Sequence, residues 1–294
     1  MELLITGASS TLGKNLVSHL LEAEISSIRL LEHQSPVRRE NCETFQGDIQ
    51  NVETLVKACS GVDTVLHLAA LTHSPCAKAY FEVNEEGTKN LIAACEANNV
   101  NRFIFVSSGA AVEGGGAYAV SKLKGEELVR QSDLNWMILR PSEIYGSQMK
   151  EGIGKLIRWV KKFPIIPVIG DGSYLLSPVY VDDVVQAMVE ILKNDFLIKE
   201  TLNLCGPEKM TFNELVDRLA DSHKVRRKKI FLPLWIANLG IQFLSIIKSD
   251  LAFADQIPRL LCTKEQSIDR TQAVMTYFPR KIEEGLHSYL PEKQ

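Results

Sequence analysis

Tyr118 and Lys122 stand four residues apart in Tyr-Ala-Val-Ser-Lys, a spacing that puts a phenol and an ammonium on one face of a helix. An ammonium near a phenol favours the phenolate, so the pair can exchange a proton with a substrate hydroxyl or carbonyl. Upstream, the apolar run Phe103-Ile104-Phe105-Val106 ends in Ser107 and Ser108. A hydroxyl there can orient the same oxygen, or it can simply satisfy backbone groups at the strand end.

A second group of residues suits a phosphate. Thr6-Gly7-Ala8-Ser9-Ser10-Thr11-Leu12-Gly13 follows the run Leu3-Leu4-Ile5 and opens a helix-patterned stretch, the setting in which first-turn N–H groups meet a pyrophosphate. Gly7 allows the tight turn and Gly13 the close packing of helix on strand, while Ser10 takes the middle position of G-x-x-G-x-x-G at some cost in backbone approach. Glu32, 19 residues past Gly13, is placed to accept from the adenosine ribose hydroxyls and repel a 2′-phosphate, which favours NAD over NADP. Arg38 and Arg39 are the counterweight, since they could pair with a 2′-phosphate if the loop folds back.

These groups can work together only if strands and helices alternate to position them. Leu3-Leu4-Ile5, then Leu12, Leu16, Val17, Leu20 and Leu21 at helical spacing, then Ile28-Arg29-Leu30-Leu31 make a βαβ unit. The alternation continues through a strand at 62–67, a helix near 77–98, a strand at 102–107, a helix at 118–131 and a strand at 136–140. It predicts an α/β fold, a Rossmann-type doubly wound parallel sheet. After Arg140-Pro141 the pattern loosens, with a helix opening near Asp182 and Asp183, acids that suit a helix N-terminus, and a strand at 201–205. Thr211 with Glu214 reads as a capping box. The expected division is a nucleotide-binding domain over 1–150, rejoined by 175–205, and a smaller, mostly helical substrate domain from 151–174 and 206–294.

The chain resembles the extended short-chain dehydrogenase/reductase superfamily, in its NAD-dependent epimerase/dehydratase and related atypical branches, over about residues 1 to 210. The resemblance rests on Thr6-Gly7 to Gly13, Gly47-Asp48-Ile49, His67-Leu68-Ala69-Ala70, Asn84 with Gly87-Thr88-Lys89-Asn90-Leu91, Val106-Ser107-Ser108, Tyr118 to Lys122, Leu139-Arg140-Pro141 with Ile144-Tyr145-Gly146, and Val179-Tyr180-Val181-Asp182-Asp183. It implies an NAD(P)-dependent enzyme passing hydride at a carbinol or ketone carbon, with Tyr118 transferring the proton, Lys122 tuning it and Ser108 orienting the oxygen. It implies NAD held by Gly7, Ser9, Ser10, Thr11, Leu12, Gly13 and Glu32, with Asp48 and Ile49 flanking the adenine. Leu68, Ala69 and Ala70 would line the phosphate and ribose side, Lys122 would bind the nicotinamide ribose, and Pro141 and Ile144 would border the nicotinamide. A small-molecule substrate, a nucleotide sugar by family frequency, and a homodimer through 77–98 and 118–131 are implied too.

Three features depart from that pattern. The segment between the active-site hydroxyl and the tyrosine is cut to Gly109–Ala117, and an alternative alignment puts Gly109 where the hydroxyl belongs. Leu176 stands where nucleotide-sugar enzymes carry an arginine that clamps the substrate pyrophosphate, a strong charge-assisted contact. The Gly-Asp-Gly-Ser-Tyr stretch at 170–174 and Leu232-Pro233-Leu234-Trp235 look more like the branch that includes the NADH-binding accessory subunit of respiratory complex I. A cofactor-holding structural or assembly protein without turnover is therefore the alternative function.

Composition bounds the rest. The 294 residues are 45% hydrophobic and 23% charged, which excludes disorder, collagen and coiled coil. A net charge of −3 gives no global reason to bind nucleic acid. The first residues lack a basic region ahead of an apolar one, so no secretory signal is expected. Six cysteines without a Cys-x-x-Cys pair read as reduced thiols in a cytoplasmic protein. The histidines offer no zinc spacing, so no metal is expected. Finally, the basic run 224–229 precedes a mostly apolar stretch, 230–247. It is broken too often to span a bilayer, but as an amphipathic helix it could cover the cleft or rest on an anionic membrane. The second use would suit a reductase of a lipophilic ketone.

Overall fold

A computed structural model describes residues 1–23, 25, 27–37, 39–149, 151–237, 239 and 256–289. The strands are β1 (Glu2–Thr6), β2 (Ser27–Glu32), β3 (Glu43–Gln46), β4 (Thr64–His67), β5 (Arg102–Val106), β6 (Asn135–Pro141), β7 (Ile144–Tyr145), β8 (Ile165–Ile169), β9 (Leu175–Leu176), β10 (Val179–Tyr180), β11 (Glu200–Leu204), β12 (Met210–Thr211) and β13 (Lys228–Leu232). Seven of them form one parallel sheet in the order β11-β6-β5-β4-β1-β2-β3. This is the doubly wound arrangement that the alternating pattern predicts. The inner strands β4 and β5 are buried at every residue, as strands covered by helices on both faces must be.

The helices that matter here are α1 (Thr11–Glu22), α2 (Val52–Ala58), α3 (Ala77–Tyr80), α4 (Gly87–Ala97), α5 (Gly116–Gln131), α6 (Ile153–Lys162), α7 (Val181–Lys193) and α8 (Phe212–Ser222). On one face Leu16, Val17 and Leu20 of α1 pack with Val184, Val185 and Met188 of α7 over Leu3, Ile5 and Ile104. On the other, Leu55 of α2, Leu91 and Cys95 of α4 and Val129 of α5 pack over Leu4, Phe103 and Phe105. A third cluster joins Tyr145, Ile157 and Val160 to Leu215, Leu219 and Leu286, with Leu176 inside it. Thr211 caps α8 as expected, its hydroxyl accepting from the Glu214 amide at 3.1 Å while the Glu214 carboxylate accepts from the Thr211 amide at 2.7 Å.

Two elements differ from expectation. Residues 77–98 are not one regular helix: the stretch Phe81–Glu86 between α3 and α4 is π-helical, a local widening common at functional sites. The helix expected from Ile230 does not begin there. Lys228–Leu232 are β13, paired in parallel with β8, and helical backbone begins at 234, with 234–237 and 239 helical. Ile230-Phe231-Leu232 are strand formers with an open partner in β8, and Pro233 supplies the fixed φ at which a helix can start. Residues 238 and 240–247 of the expected helix lie outside the described residues.

The helix α5 is fixed to the sheet by charge. Glu126, fully buried, accepts from Arg140 Nε at 2.8 Å and Nη2 at 2.6 Å, and from Arg130 Nη2 at 2.7 Å. Removing the carboxylate leaves the largely buried Arg140 guanidinium with only the exposed Glu265 carboxylate, 3.7 Å away. Glu126→Ala is therefore expected to cost about 3–5 kcal/mol, measured by urea unfolding. A loss below about 1 kcal/mol, the range of a surface ion pair, would show that this pair does not hold the helix.

Candidate active site

The first turn is built around one backbone approach. Gly7 has φ +73°, and a Cβ there would lie 2.5 Å from the Ala69 amide nitrogen, so only glycine brings β1 this close to the segment after β4. A Cβ on Gly13 would meet the Gly7 carbonyl at 2.6 Å. Ser10 needs no such freedom, with φ −65° and ψ 161°. It caps α1 instead, its hydroxyl accepting from the Gly13 amide at 3.0 Å while its own amide donates to Gly7 O at 3.1 Å. The amides of Thr11 and Leu12 lie ahead of the first intrahelical acceptor and remain available to an anion. The first turn of α1 holds no acidic side chain to oppose one. The residues present therefore fit a dinucleotide pyrophosphate.

The other expected cofactor residues gather at the same edge. The backbone amides of Leu68 and Ala69 donate to Thr6 O at 3.1 Å and Thr6 Oγ1 at 3.2 Å, and Leu68, Ala69 and Ala70 are half-buried. The Glu32 carboxylate at the end of β2 accepts from the Val37 amide, and its carbonyl accepts from Gly47 N at 2.8 Å. Asp48 faces His33 across 3.4 Å, and Ile49 packs where a Cβ on Gly87 would touch it at 2.9 Å. Arg39 is exposed, and Arg38 lies outside the described residues.

A buried polar chain joins this turn to α5. His67 Nδ1 lies 2.7 Å from Thr6 Oγ1 and Nε2 3.0 Å from Thr88 Oγ1. Thr88 donates its proton to Asn84 O at 2.7 Å, so it accepts from His67, which then carries its proton on Nε2 and accepts from Thr6 at Nδ1. Burial, with Lys122 nearby, holds His67 down at about 3, so the ring is neutral. The Asn84 side chain, in the π-helical stretch, donates to Leu71 O and to Ser121 Oγ, both at 3.0 Å, and Ser121 Oγ donates to Tyr118 O at 2.8 Å.

Tyr118 and Lys122 share one face of α5, as their spacing predicts. Lys122 is buried, its Nζ donating to Val106 O at 2.8 Å and lying 4.0 Å from the Phe105 ring centroid. Burial lowers it to about 7, with Glu126 partly opposing the shift. Tyr118 is 5% exposed. Its ring lies under the Arg259 guanidinium, 4.1 Å away, and meets Tyr80 edge-on at 6.0 Å.

The serines divide differently. Ser108 Oγ accepts from the Ala110 amide at 3.1 Å, tying down the shortened loop. Phe103 and Phe105 face α5, so strand alternation carries Ser107, not Ser108, to that side. Ser107 Oγ is buried with no hydrogen-bond partner among the described residues. Gly109, in the turn that follows, donates its amide to Pro141 O at 2.7 Å, and a Cβ there would lie 3.3 Å from the same oxygen. Pro141 ends β6 and is buried, and Ile144 in β7 is half-buried.

The C-terminal residues that reach this edge have no signal in the sequence. The helix Gln256–Leu261 brings Arg259 onto Tyr118. Lys264, nearly buried, pairs with Glu143 between Ser142 and Ile144. Gln266 accepts from Ser177 Oγ and donates to Leu175 O, both at 3.1 Å. Each partner is far away in the chain, where local pattern carries no information. Leu176, at the position of the expected clamp, is 2% exposed within the third cluster, so no charge stands there.

The fold and site define a dinucleotide-binding α/β protein with a Tyr-x-x-x-Lys helix. The chain belongs to the NAD dependent epimerase/dehydratase family, which it matches over residues 3–205. It is 30% identical over 234 residues to the ceramide reductase of Caulobacter vibrioides, covering 78% of this chain and 73% of the relative. It is 28% identical over 261 residues to the N-acetyl-alpha-D-glucosaminyl-diphospho-ditrans,octacis-undecaprenol 4-epimerase of Escherichia coli O157:H7, covering 81% and 77%. The crystal structure of UDP-glucuronic acid 4-epimerase from Bacillus cereus, in complex with UDP-glucuronic acid and NAD, superposes with a TM-score of 0.77 at 22% identity over 98% of both chains. Its likeness extends to the whole fold. Among the described residues no helix is long and apolar enough to cross a membrane.

The lowered Lys122 has a measurable consequence. Between about 7 in the folded protein and its ordinary value of about 10.4, the unfolded chain holds the extra proton, so stability rises with pH across that window. The burden of Lys122 is full below pH 7 and is relieved above it. The Tm difference, Lys122→Met minus wild type, is therefore expected to be more positive at pH 6 than at pH 9. An unchanged difference would mean that the ammonium is not desolvated.

Proposed function

We propose that the chain is an NAD-dependent oxidoreductase or epimerase acting at a carbinol or ketone carbon of a lipophilic or lipid-linked substrate. The observation that carries this reading is Lys122, sunk against Val106 O and Phe105 one helical turn from Tyr118, at the sheet edge that also holds the glycine turn. A core of this size has no need of a buried ammonium, which costs stability unless it serves a site. Residues 1–150 with 175–205 would hold the cofactor through the amides after Gly7, Glu32, Asp48, Ile49 and the 68–70 segment, and the remaining residues would hold the substrate. NAD, when bound, supplies the hydride acceptor or donor. Tyr118 takes the proton from the substrate hydroxyl or returns it, and Lys122 favours the phenolate. Ser108 is assigned to orient the oxygen, and the unpartnered hydroxyl of Ser107 supports a share in that role.

The substrate class rests on Leu176. With that side chain in the core, the charged clamp expected for a nucleotide pyrophosphate is missing at that position. The two relatives quoted above are named for a ceramide and for a sugar joined to undecaprenol through a diphosphate, so both names carry a lipid and only the first lacks a pyrophosphate. Gly109, which offers no hydroxyl, supports a second reading, a protein that holds NAD as a structural or assembly component without turnover.

Tyr118→Phe separates the two. The variant is expected to bind NADH within about twofold of wild type and to lose about 10²–10⁴-fold in NADH oxidation against a panel of long-chain and cyclic ketones. Equal activity in the variant would remove Tyr118 from the chemistry. Wild type inert on every ketone, with NADH still bound, would favour the structural reading. Calorimetry should also show NADH binding more tightly than NADPH, with Glu32→Ala narrowing the gap. A preference for NADPH would reverse the assignment of Glu32.

A further inference from the structure

We propose that the ledge formed by the end of α6, β8, β13 and the turn at Pro233 is a docking surface for an anionic lipid membrane. Trp159, Phe163, Ile165, Ile230, Phe231 and Trp235 are all exposed, Phe231 at 51% and Trp235 at 64%. Their neighbourhood follows from pairing: the β8–β13 register sets Ile165 beside Lys228, Pro167 beside Ile230 and Ile169 beside Leu232. The Trp159 and Phe163 rings meet edge-to-face at 6.0 Å where α6 runs into β8, and Gly170 N donates to Leu232 O at 2.8 Å, carrying the pairing one residue past the end of β8. Apolar side chains clustered this way on a surface mark a contact site.

The rim selects the occupant. Segments 155–162 and 224–229 hold nine of the chain's 33 Lys and Arg and no Asp or Glu, in a protein whose net charge is −3. Some of these cations serve the fold. Arg227 donates to the carbonyls of Val160 and Lys161, and Lys229 pairs with Asp217 at 2.7 Å. Lys161, Lys162, Arg226 and Lys228 stand exposed beside the apolar residues. An apolar centre with two tryptophans and a lysine fringe matches acyl chains below anionic headgroups, each cation near such a surface adding to the attraction. A second copy of the chain fits less well, because a two-fold contact through this ledge would bring the same basic rim against itself.

The proposal is independent of the catalytic reading, since it is tested without turnover. The full chain is sedimented with phosphatidylcholine vesicles and with vesicles also containing phosphatidylserine, at low and high salt. Binding is expected only to the anionic vesicles and to weaken with salt. It should fall at least about 10-fold both in Phe231→Glu/Trp235→Glu and in Lys161→Glu/Lys162→Glu. Circular dichroism confirms that these surface variants remain folded. Absence of binding to anionic vesicles at low salt, or binding unchanged in either variant, would overturn the proposal. A concentration-dependent dimer dispersed by Phe231→Glu/Trp235→Glu would assign the ledge to a second copy and overturn it equally.

Discussion

The site depends on one buried stripe of ionisable side chains along α5. Tyr118, Lys122 and Glu126 follow at intervals of four and lie on one helix face, and all three are buried. Such a stripe is tolerable only because each group has a specific partner, on the sheet for Lys122 and Glu126 and on the helix Gln256–Leu261 for Tyr118. Lys122 donates to the Val106 carbonyl, and Glu126 holds Arg140 through two bonds. Tyr118 lies beneath Arg259. The strands that supply the carbonyl and the guanidinium are β5 and β6, neighbours in the sheet. Helix rotation and sheet register are therefore set together, and a change at Glu126 acts on Tyr118 without touching it.

The glycine turn is coupled to this stripe through neutral polar groups. Thr6, His67, Thr88, Asn84 and Ser121 pass hydrogen bonds from the end of β1 to the Tyr118 carbonyl. A charged histidine in that chain would have two proton-bearing nitrogens and would leave Thr6 without an acceptor for its own proton. Burial prevents this, and the neutral ring satisfies both threonines. The π-helical stretch is what lets Asn84 reach both Leu71 and Ser121. It is a local loss of helical regularity exchanged for a connection between two functional regions.

What the sequence made legible was local. The βα alternation, the Gly7–Gly13 turn, the Tyr118–Lys122 face and the Thr211 cap are each written within a few consecutive residues, and the structure places them as read. Residues 230–232 suit a helix by sequence and form a strand because their partner β8 lies some sixty residues upstream, and an apolar run next to a basic one has no intrinsic period. The pairings of Arg259 with Tyr118 and of Lys264 with Glu143 span more than a hundred residues, and no spacing rule encodes them. Ser107 and Ser108 are equivalent in type, and only the direction of β5 shows which of them faces α5.

The helix face that carries Tyr118 is tied to the central sheet, whereas residues 109 and 176 are held by other contacts. Glu126 cannot be lost without weakening the hold on Arg140, so the fold itself preserves the orientation of the helix that carries Tyr118. Nothing comparable protects residue 109 or residue 176. Gly109 can lose a side chain at no cost to packing, since its amide still reaches Pro141 O. At 176 an aliphatic side chain is stabilised by the Tyr145, Ile157 and Leu215 cluster, where an arginine would have to leave it to reach solvent or a phosphate. The helix face that carries Tyr118 and the side chain at 176 are thus under separate physical constraints, the first set by the sheet and the second by the Tyr145, Ile157 and Leu215 cluster.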